Sequence, residues 1–250
     1  MASSTAKPFV FPGLPISQSL LPIPADPKRS LKLGAGVQHV PPSTITATSP
    51  GILRIDDKKN VVWVENNHRR YVSYPGDLVI ATVLRSAAEQ FFLQICPHSP
   101  TVLLNHLSFE NVSRKTRPQL NTGATVYARV LSVDKHLETE LVCFNPSTGK
   151  ADGLGELKGG MLFDISPGMS RRLLLQKSKE QGGIAILDIL AEKLNFELAV
   201  GLNGRLWIDG STVRETMAIG KAIQEIDQGA LDIEKQRKLA GRLLREIGKG

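Results

Sequence analysis

Cysteine is scarce in this sequence: 250 residues contain only Cys96 and Cys143, far apart along the chain. No C-x-x-C pair exists, which excludes a zinc ribbon and argues against a disulfide framework. Both cysteines stand in apolar, strand-like runs, which is typical of small buried side chains. We therefore expect a protein of a reducing, intracellular compartment.

Long apolar runs and catalytic motifs are also missing. No stretch of 18 apolar residues occurs, so no membrane-spanning helix is expected. Five prolines from Pro8 to Pro24 break any signal or transit helix at the N-terminus. The sequence contains no G-x-S-x-G, H-E-x-x-H or phosphate-binding G-x-x-x-x-G-K-[ST] motif, and its five histidines are scattered. The expectation is a chain with no catalytic residues, no metal and no cofactor.

Basic residues, by contrast, are in excess. The formal net charge is +7 and the pI is about 9.5, which indicates an anionic partner, most often nucleic acid. An excess of this size can also serve solubility alone. Aromatic residues make up only 5% of the chain, so a broad platform for base stacking is not available.

Composition and periodicity change along the first 147 residues. Residues 1–47 are Pro-rich and predict extended chain with short strands, and residues 48–68 predict a β-hairpin. Residues 69–147 are typical of a small closed OB-fold barrel. Its five strands are predicted at 78–84, 91–96, 101–104, 125–133 and 140–144.

Residues 148–250 mix strands and helices. The predicted order is β-α-α-β-β-α followed by a last helix, which is the order of a type I KH domain. Helical spacing covers Ile184 to Leu194, Thr212 opens a capping box, and 233–247 are amphipathic. The fold class expected for the whole chain is therefore multidomain β and α+β.

The stretch Gly201-Leu202-Asn203-Gly204 fits the G-X-X-G pattern with which KH domains clamp a nucleic-acid backbone. In a type I KH domain that loop joins the first two helices, whereas here it lies between two predicted strands. Asn-Gly in this setting favours a type I′ hairpin turn, whose two central residues have φ > 0. We interpret Gly201, Asn203 and Gly204 as a structural turn, and we expect Trp207 to pack inward or against a neighbouring domain.

With G-L-N-G-R-L-W-I in this context, the sequence resembles the S1–KH cap subunits of the eukaryotic RNA exosome. The resemblance runs from about Thr48 to the C-terminus and includes Leu107-Ser108-Phe109-Glu110 and the segment 111–118. It implies an N-terminal β-domain that ends within 48–68, an S1 (OB-fold) domain at 69–147 and a KH domain at 148–250. Residues 1–47 match nothing in that family.

The resemblance also implies a role. Such cap subunits look non-catalytic, bridge RNase PH-like ring subunits beside the other cap subunits, and guide single-stranded RNA to the pore for rRNA processing and RNA degradation. The implied location is nucleus and nucleolus, also cytoplasm, with no membrane partner. Two alternatives stay open: the sister S1–KH cap subunit of the same complex, and a free-standing RNA-binding regulator.

The main RNA-binding candidates are Arg114, Lys115 and Arg117, three cations within four residues of the long loop between the third and fourth barrel strands. Lysine and arginine there can neutralise phosphates without sequence preference. A solvated charged loop would look the same in sequence. The resemblance favours RNA contact, since the loop matches a basic, pore-facing loop of the family.

Two further candidates flank that loop. Phe92 is a candidate for base stacking, because Phe91 and Phe92 are adjacent in a strand and point to opposite faces. His106, predicted at the start of the loop, could contact RNA, although a structural histidine is the more common case.

Overall fold

A computed structural model of the chain describes residues 8–21, 30–56, 60–66, 70–113, 115–174, 184, 186–229 and 233–247, with 246 and 247 described by backbone alone. Its contacts divide the chain into two compact units, residues 1–69 and 70–250. None of the helices in the described ranges is long and apolar enough to cross a membrane. The strands of the first unit are β1 (Phe9–Val10), β2 (Lys32–Leu33), β3 (Val37–Val40), β4 (Thr44–Ala47), β5 (Gly51–Asp56) and β6 (Val61–Glu65).

The second unit contains both strands and helices. Its strands are β7 (Leu78–Ser86), β8 (Gln90–Gln94), β9 (Thr101–Phe109), β10 (Thr125–Ser132), β11 (Glu140–Cys143), β12 (Gly155–Leu157), β13 (Met161–Asp164), β14 (Phe196–Gly201) and β15 (Arg205–Gly210). Its helices are α1 (Pro167–Leu174), α2 (Ile186–Ala191), α3 (Val213–Gly229) and α4 (Ile233–Ile247).

The first unit is a small β-domain. One sheet has the order β1-β5-β6-β2, and β3 pairs with β4 in a separate hairpin. Because side chains alternate along a strand, Leu53, Val62 and Val64 fall on one face, where they are buried with Val10. β5 and β6 confirm the hairpin predicted within residues 48–68.

Residues before Thr48, predicted as a Pro-rich extended segment with short strands, also contribute strands to this domain. β1 pairs with β5, where Phe9 lies opposite Ile52, and β2 pairs with β6. Residues 8–21 and 30–47 are therefore an integral part of the sheet and its core. The prolines predict extended chain there, but pairing with strands roughly 30–40 residues away leaves no local pattern.

The second unit opens with a five-stranded barrel formed by β7 to β11. The strand order is β11-β9-β8-β7-β10, and pairing of β10 with β11 closes the sheet on itself. Its core contains Val79, Phe91, Leu104, Val126 and Leu141. The closed OB-type barrel expected from the strand spacing is confirmed.

Two boundaries of the barrel differ from the prediction. β9 continues to Phe109 instead of ending at Leu104, because the residues beyond Leu104 still pair with β8 and β11. The long loop therefore begins five residues later than predicted. In addition, β12 pairs with β10, which extends the sheet of the barrel past residue 147, the predicted end of the domain.

The rest of the second unit has the predicted order of a type I KH domain. β15 lies between β13 and β14 and is antiparallel to both. Helices α1 and α3 pack on this sheet, and α4 packs on α2 and α3. The N-cap of the predicted capping box is confirmed, since the hydroxyl oxygen of Thr212 accepts a hydrogen bond from Glu215 N–H at 3.2 Å. α4 has the predicted bounds.

Helix α2 is shorter than the predicted span from Ile184 to Leu194. It ends at Ala191, and the N–H groups of Lys193 and Leu194 both donate to the carbonyl oxygen of Leu190, at 3.0 and 2.8 Å. That tightened last turn directs the chain into β14. The apolar spacing continues through the turn, so periodicity alone does not show where the helix ends.

Candidate nucleic-acid interface

The G-L-N-G stretch connects β14 to β15 as a three-residue loop. Gly201 pairs with Arg205, and Gly204 N–H donates to the carbonyl oxygen of Gly201 at 3.2 Å. Gly204 has φ = +79° and is the one loop residue with positive φ. The type I′ turn predicted from Asn-Gly is thus wrong: a three-residue connection of this kind needs a left-handed residue only at its last position.

The side chain of Asn203 leaves the loop and is buried against the barrel, with 6% of its surface exposed. Its amide nitrogen donates to the carbonyl oxygens of Ile80 and Ile95, both at 2.8 Å. Its amide oxygen accepts from Ile80 N–H at 3.2 Å. All three hydrogen bonds cross from the KH-type domain to the barrel, so Asn203 joins the two domains.

Glycine at position 201 is required by the same close approach. A Cβ atom there would lie 2.8 Å from the backbone nitrogen of Ile80 and closer still to the amide oxygen of Asn203. Next to it, Leu202 N–H donates to the carbonyl oxygen of Leu78 at 2.7 Å. The G-L-N-G backbone is therefore occupied by the barrel, which leaves it unavailable for clamping a phosphate.

Trp207 and its neighbours complete this joint between the domains. Trp207 is buried with Ile80 and Ala199, and its indole N–H donates to the carbonyl oxygen of Gly159 at 3.0 Å. Tyr127 of the barrel donates its hydroxyl to the carbonyl oxygen of Val200 at 3.1 Å. Burial raises the pKa of Tyr127, so the phenol remains a donor. The packing expected for Trp207 agrees with this arrangement.

The two cysteines differ in their surroundings. Cys96 is half-buried at the joint, with Sγ 3.7 Å from the carbonyl oxygen of Asn203, whereas Cys143 is buried in the barrel core. Burial raises the pKa of both thiols, that of Cys143 to about 12. Both are free cysteines, in agreement with the absence of a C-x-x-C pair.

The basic loop, residues 113–118, follows β9 and contains the three predicted cations. Arg114 lies outside the described residues. Lys115 is exposed, and a turn in which Ser113 N–H donates to the hydroxyl of Thr116 at 3.0 Å presents it to solvent. The guanidinium of Arg117 donates to the carbonyl oxygen of Ala88 at 3.1 Å, which attaches the loop to the turn between β7 and β8.

His106 is a residue of β9 and not of the loop, which corrects the prediction. It is 94% buried, since only 6% of its surface is exposed, and its ring lies 4.1 Å from that of Phe91. Nδ1 is 3.5 Å from the guanidinium of Arg117, and Nε2 is buried with no hydrogen-bond partner among the described residues. Burial, and then the charge of Arg117, lower the pKa of His106. A direct RNA contact would require exposure that this side chain lacks.

Phe91 and Phe92 point to opposite faces of β8, as predicted. Phe91 is in the core, and Phe92 is half-buried on the outer face. The guanidinium of Arg85, in the paired position of β7, lies 3.6 Å above the ring of Phe92. Arg85 is not identifiable from the sequence, because its pairing with Phe92 depends on a register shift between Val83 and Arg85.

Lys115, Arg117, Phe92 and Arg85 are thus brought to one end of the β7–β8 hairpin. His106 is excluded from that surface, and Gly201, Asn203, Gly204 and Trp207 belong to the joint. Across the described ranges, no group of three or more His, Cys, Asp or Glu side chains is placed to bind a metal ion.

Comparison with known proteins assigns a family to this arrangement. The matching family models are "Exosome complex exonuclease Rrp40 N-terminal domain" over residues 31–70, "Exosome complex component RRP40, S1 domain" over 71–155 and "KH domain" over 160–214. The chain is 31% identical to the exosome complex component RRP40 of Saccharomyces cerevisiae over 96% of both chains. It is 36% identical to the Drosophila melanogaster protein, over 81% of this chain and 84% of that one. The chain belongs to the Rrp40 family.

The Rrp40 matches confirm the resemblance to S1–KH exosome subunits and identify the barrel as the S1 domain. They begin upstream of Thr48 and continue to residue 155, in agreement with the strands before Thr48 and with β12. The archaeal exosome complex component Rrp4 of Thermoplasma volcanium is 27% identical over 83% of both chains. A crystal structure described as that of an exosome complex RNA-binding protein shares the fold, with a TM-score of 0.56 at 23% identity over 71% of this chain and 97% of that chain.

Proposed function

We propose that this Rrp40-family chain is a non-catalytic cap subunit of the exosome core that guides single-stranded RNA to the pore. Its relatives are named as exosome complex components, and the chain has the S1 and KH domains expected for such a role. The RNA-binding part of the proposal is supported by one observation: cationic and aromatic side chains lie together at one end of the β7–β8 hairpin. There Arg85 and Phe92 lie beside the attachment point of Arg117, with Lys115 exposed in the same loop.

This surface can bind RNA by two kinds of contact. This surface has more positive than negative charge, because it contains Arg85, Lys115 and Arg117 and the adjoining turn has one acid, Glu89. The cations would neutralise phosphates with little sequence preference. The guanidinium plane of Arg85, already stacked on Phe92, offers a flat surface to a base. A single stacking pair gives weak binding, which is consistent with guidance in an assembly where several such surfaces act together.

The partners that we propose are RNase PH-like ring subunits and the other exosome cap subunits, with RNA as the substrate that passes between them. The joint supports this role because Asn203 ties the KH domain to the barrel. A KH domain docked on the ring would therefore hold the basic loop in one direction. The proposed location is nucleus and nucleolus, also cytoplasm, and no membrane surface is part of the proposal.

Affinity purification tests membership of the complex. The tagged full chain would be recovered from its native cells at moderate salt, and the co-eluting proteins would be identified by mass spectrometry. We expect stoichiometric RNase PH-like subunits. A monomer that elutes with RNA alone would overturn the cap role and favour the free-standing regulator.

A nuclease assay tests the non-catalytic part, because the N-terminal family model is described with the word exonuclease. The proposal rests on the sequence, which carries none of the hydrolase motifs considered above. The purified chain, incubated with Mg²⁺ and a 5′-labelled oligouridylate, should leave the oligonucleotide intact. Shortening of the RNA by the chain alone, abolished by repurification from a nuclease-deficient host, would indicate contamination, and shortening that persists would overturn the proposal.

A further inference from the structure

The last helix of the KH domain, α4, has a fixed orientation in the domain. Its inward face is formed by Gln236, Leu239, Ala240 and Leu243, which are buried against α2 and α3. The apolar half of this amphipathic helix is thus used by the core of the domain. The other half is exposed to solvent.

Four cations form a stripe along that exposed half. Lys235, Lys238, Arg242 and Arg245 are all exposed and follow the spacing i, i+3, i+7, i+10. At 3.6 residues per turn they fall within an arc of about 80°, and at 1.5 Å per residue they extend over about 15 Å. We call these four residues the basic stripe.

Acidic neighbours neutralise the stripe only in part. Glu234 lies at the start of the helix, and Glu225 of α3 pairs with Arg242 at 3.2 Å. Both partners of that pair are more than half exposed, so water and salt weaken the pairing. The exposed residues of α3, in contrast, include both signs, with Lys221 and Glu225 four positions apart. Positive charge is therefore concentrated on α4.

We propose that the basic stripe is a second contact for the phosphate backbone of single-stranded RNA, separate from the S1 surface. This inference rests on the proposed function of the chain. A strand carries about one phosphate per 3.4 Å when stacked, so a length of about 15 Å faces four or five phosphates. The KH domain would thus contact RNA through α4, while its G-L-N-G backbone stays buried at the joint.

The chemistry of the stripe favours RNA over a protein or a membrane. A protein interface requires a desolvated aromatic or apolar centre, and none of the four positions supplies one. Membrane-surface helices insert their apolar face, but the apolar face of α4 packs in the domain core. A phosphate backbone needs only suitably spaced cations, which is what α4 provides.

The test compares two variants with the same loss of charge. K235Q/K238Q removes half of the stripe, and K193Q/K221Q removes two exposed lysines elsewhere in the KH domain. Glutamine keeps the helix propensity of lysine. Binding of the full chain to a fluorescent oligouridylate would be measured over a range of salt concentrations. On single strands the slope of log K against log salt is about −0.7 for each phosphate contact. Loss of two contacts in K235Q/K238Q should therefore reduce the magnitude of the slope by about 1.4.

The control variant K193Q/K221Q should retain the wild-type slope. Equal slopes in all three proteins, or equal losses in both variants, would overturn the second contact. A K235Q/K238Q variant that binds RNA normally but loses an exosome subunit on purification would assign the stripe to a protein partner. If the wild-type chain itself fails to bind the oligouridylate at low salt, the RNA-binding part of the proposed function fails as well. If replacement of Lys115 and Arg117 of the basic loop by Glu lowers the affinity but K235Q/K238Q does not, the stripe alone is refuted.

Discussion

Two regions of this chain carry a sequence signature that points to RNA, but one of them is buried in the structure and the other is exposed. The G-L-N-G stretch matches a known nucleic-acid pattern, yet Asn203 is 94% buried and bonded to the barrel. The signature of the basic loop is three cations within four residues, and the loop presents Lys115 to solvent. The difference shows that the position of a G-X-X-G stretch in the order of strands and helices decides what it does.

Removal of the Asn203 amide should have the largest effect on the joint. Asn203→Ala leaves the Ile80 N–H and the carbonyl oxygens of Ile80 and Ile95 without these partners in a buried site. At about 1–3 kcal/mol for each unsatisfied group, we expect a loss of about 3–5 kcal/mol in the free energy of unfolding. Urea denaturation would measure it.

Asn121→Ala provides the control for that experiment, since Asn121 is exposed and should change the stability by less than about 0.5 kcal/mol. An Asn203→Ala protein of normal stability that has lost RNA binding would contradict the joint and restore the clamp.

Gly204→Val should have the next largest effect. Valine at φ = +79° is strained, and its Cβ would lie 2.7 Å from the carbonyl oxygen of Ile165. We expect a loss of about 2–3 kcal/mol, measured by thermal and urea unfolding. Gly241 in α4 has nothing within 4 Å of a built Cβ, so Gly241→Ala should stabilise the chain by about 0.5–1 kcal/mol. Equal stability of the two variants would rule out this account of the turn.

Charge reversal in the basic loop should affect RNA and leave the fold intact. Lys115 and Arg117 are exposed, so replacement of Arg114, Lys115 and Arg117 by Glu should change the free energy of unfolding by no more than about 1 kcal/mol, mainly through loss of the hydrogen bond from Arg117 to Ala88. RNA affinity should fall at least tenfold at low salt, and exosome subunits should still co-purify. An RNA affinity equal to that of the wild type would remove the loop from the proposed interface.

Protonation of His106 should have the smallest effect. Its pKa is lowered from 6.5 in the folded chain by burial first and by Arg117 second, so the unfolded chain binds this proton more readily. The contribution of neutral His106 to the free energy of unfolding is therefore fully present above the pKa of the unfolded chain, and it is lost as the pH falls from about 6.5 towards the pKa of the folded chain. Urea denaturation between about pH 5 and 8 should show that the free energy of unfolding depends less on pH in the His106→Gln protein than in the wild type. The exposed His136 serves as control, and a His106→Gln curve parallel to that of the wild type would refute the effect.

Features set by neighbouring residues were predictable from the sequence. The Thr212 cap, the bounds of α4 and the β5–β6 hairpin depend on local spacing, and each agrees with the structure. The extension of β9 to Phe109 and the place of β1 in its sheet depend on strands distant in sequence, which leave no periodic signal.

The proposed RNA-binding surface follows the same rule. Lys115 and Arg117 were identifiable because three cations in four residues are visible in the sequence. Arg85 was not, because its contact with Phe92 requires the register of two strands and the irregularity between Val83 and Arg85. The apolar pattern predicts a strand that ends at Leu104, which puts His106 in the loop, whereas pairing with β8 and β11 extends β9 to Phe109.

The joint also has a consequence for the order in which the chain assembles during translation. Asn203 follows Ile80 by 123 residues and Ile95 by 108, so the ribosome has completed every strand of the barrel before the amide is made. At about 5–20 residues per second, Ile80 and Ile95 are therefore made roughly 5–25 s before Asn203. The contacts of Asn203 with the barrel can form only after every barrel strand has been made, while β15, α3 and α4 still follow in the chain.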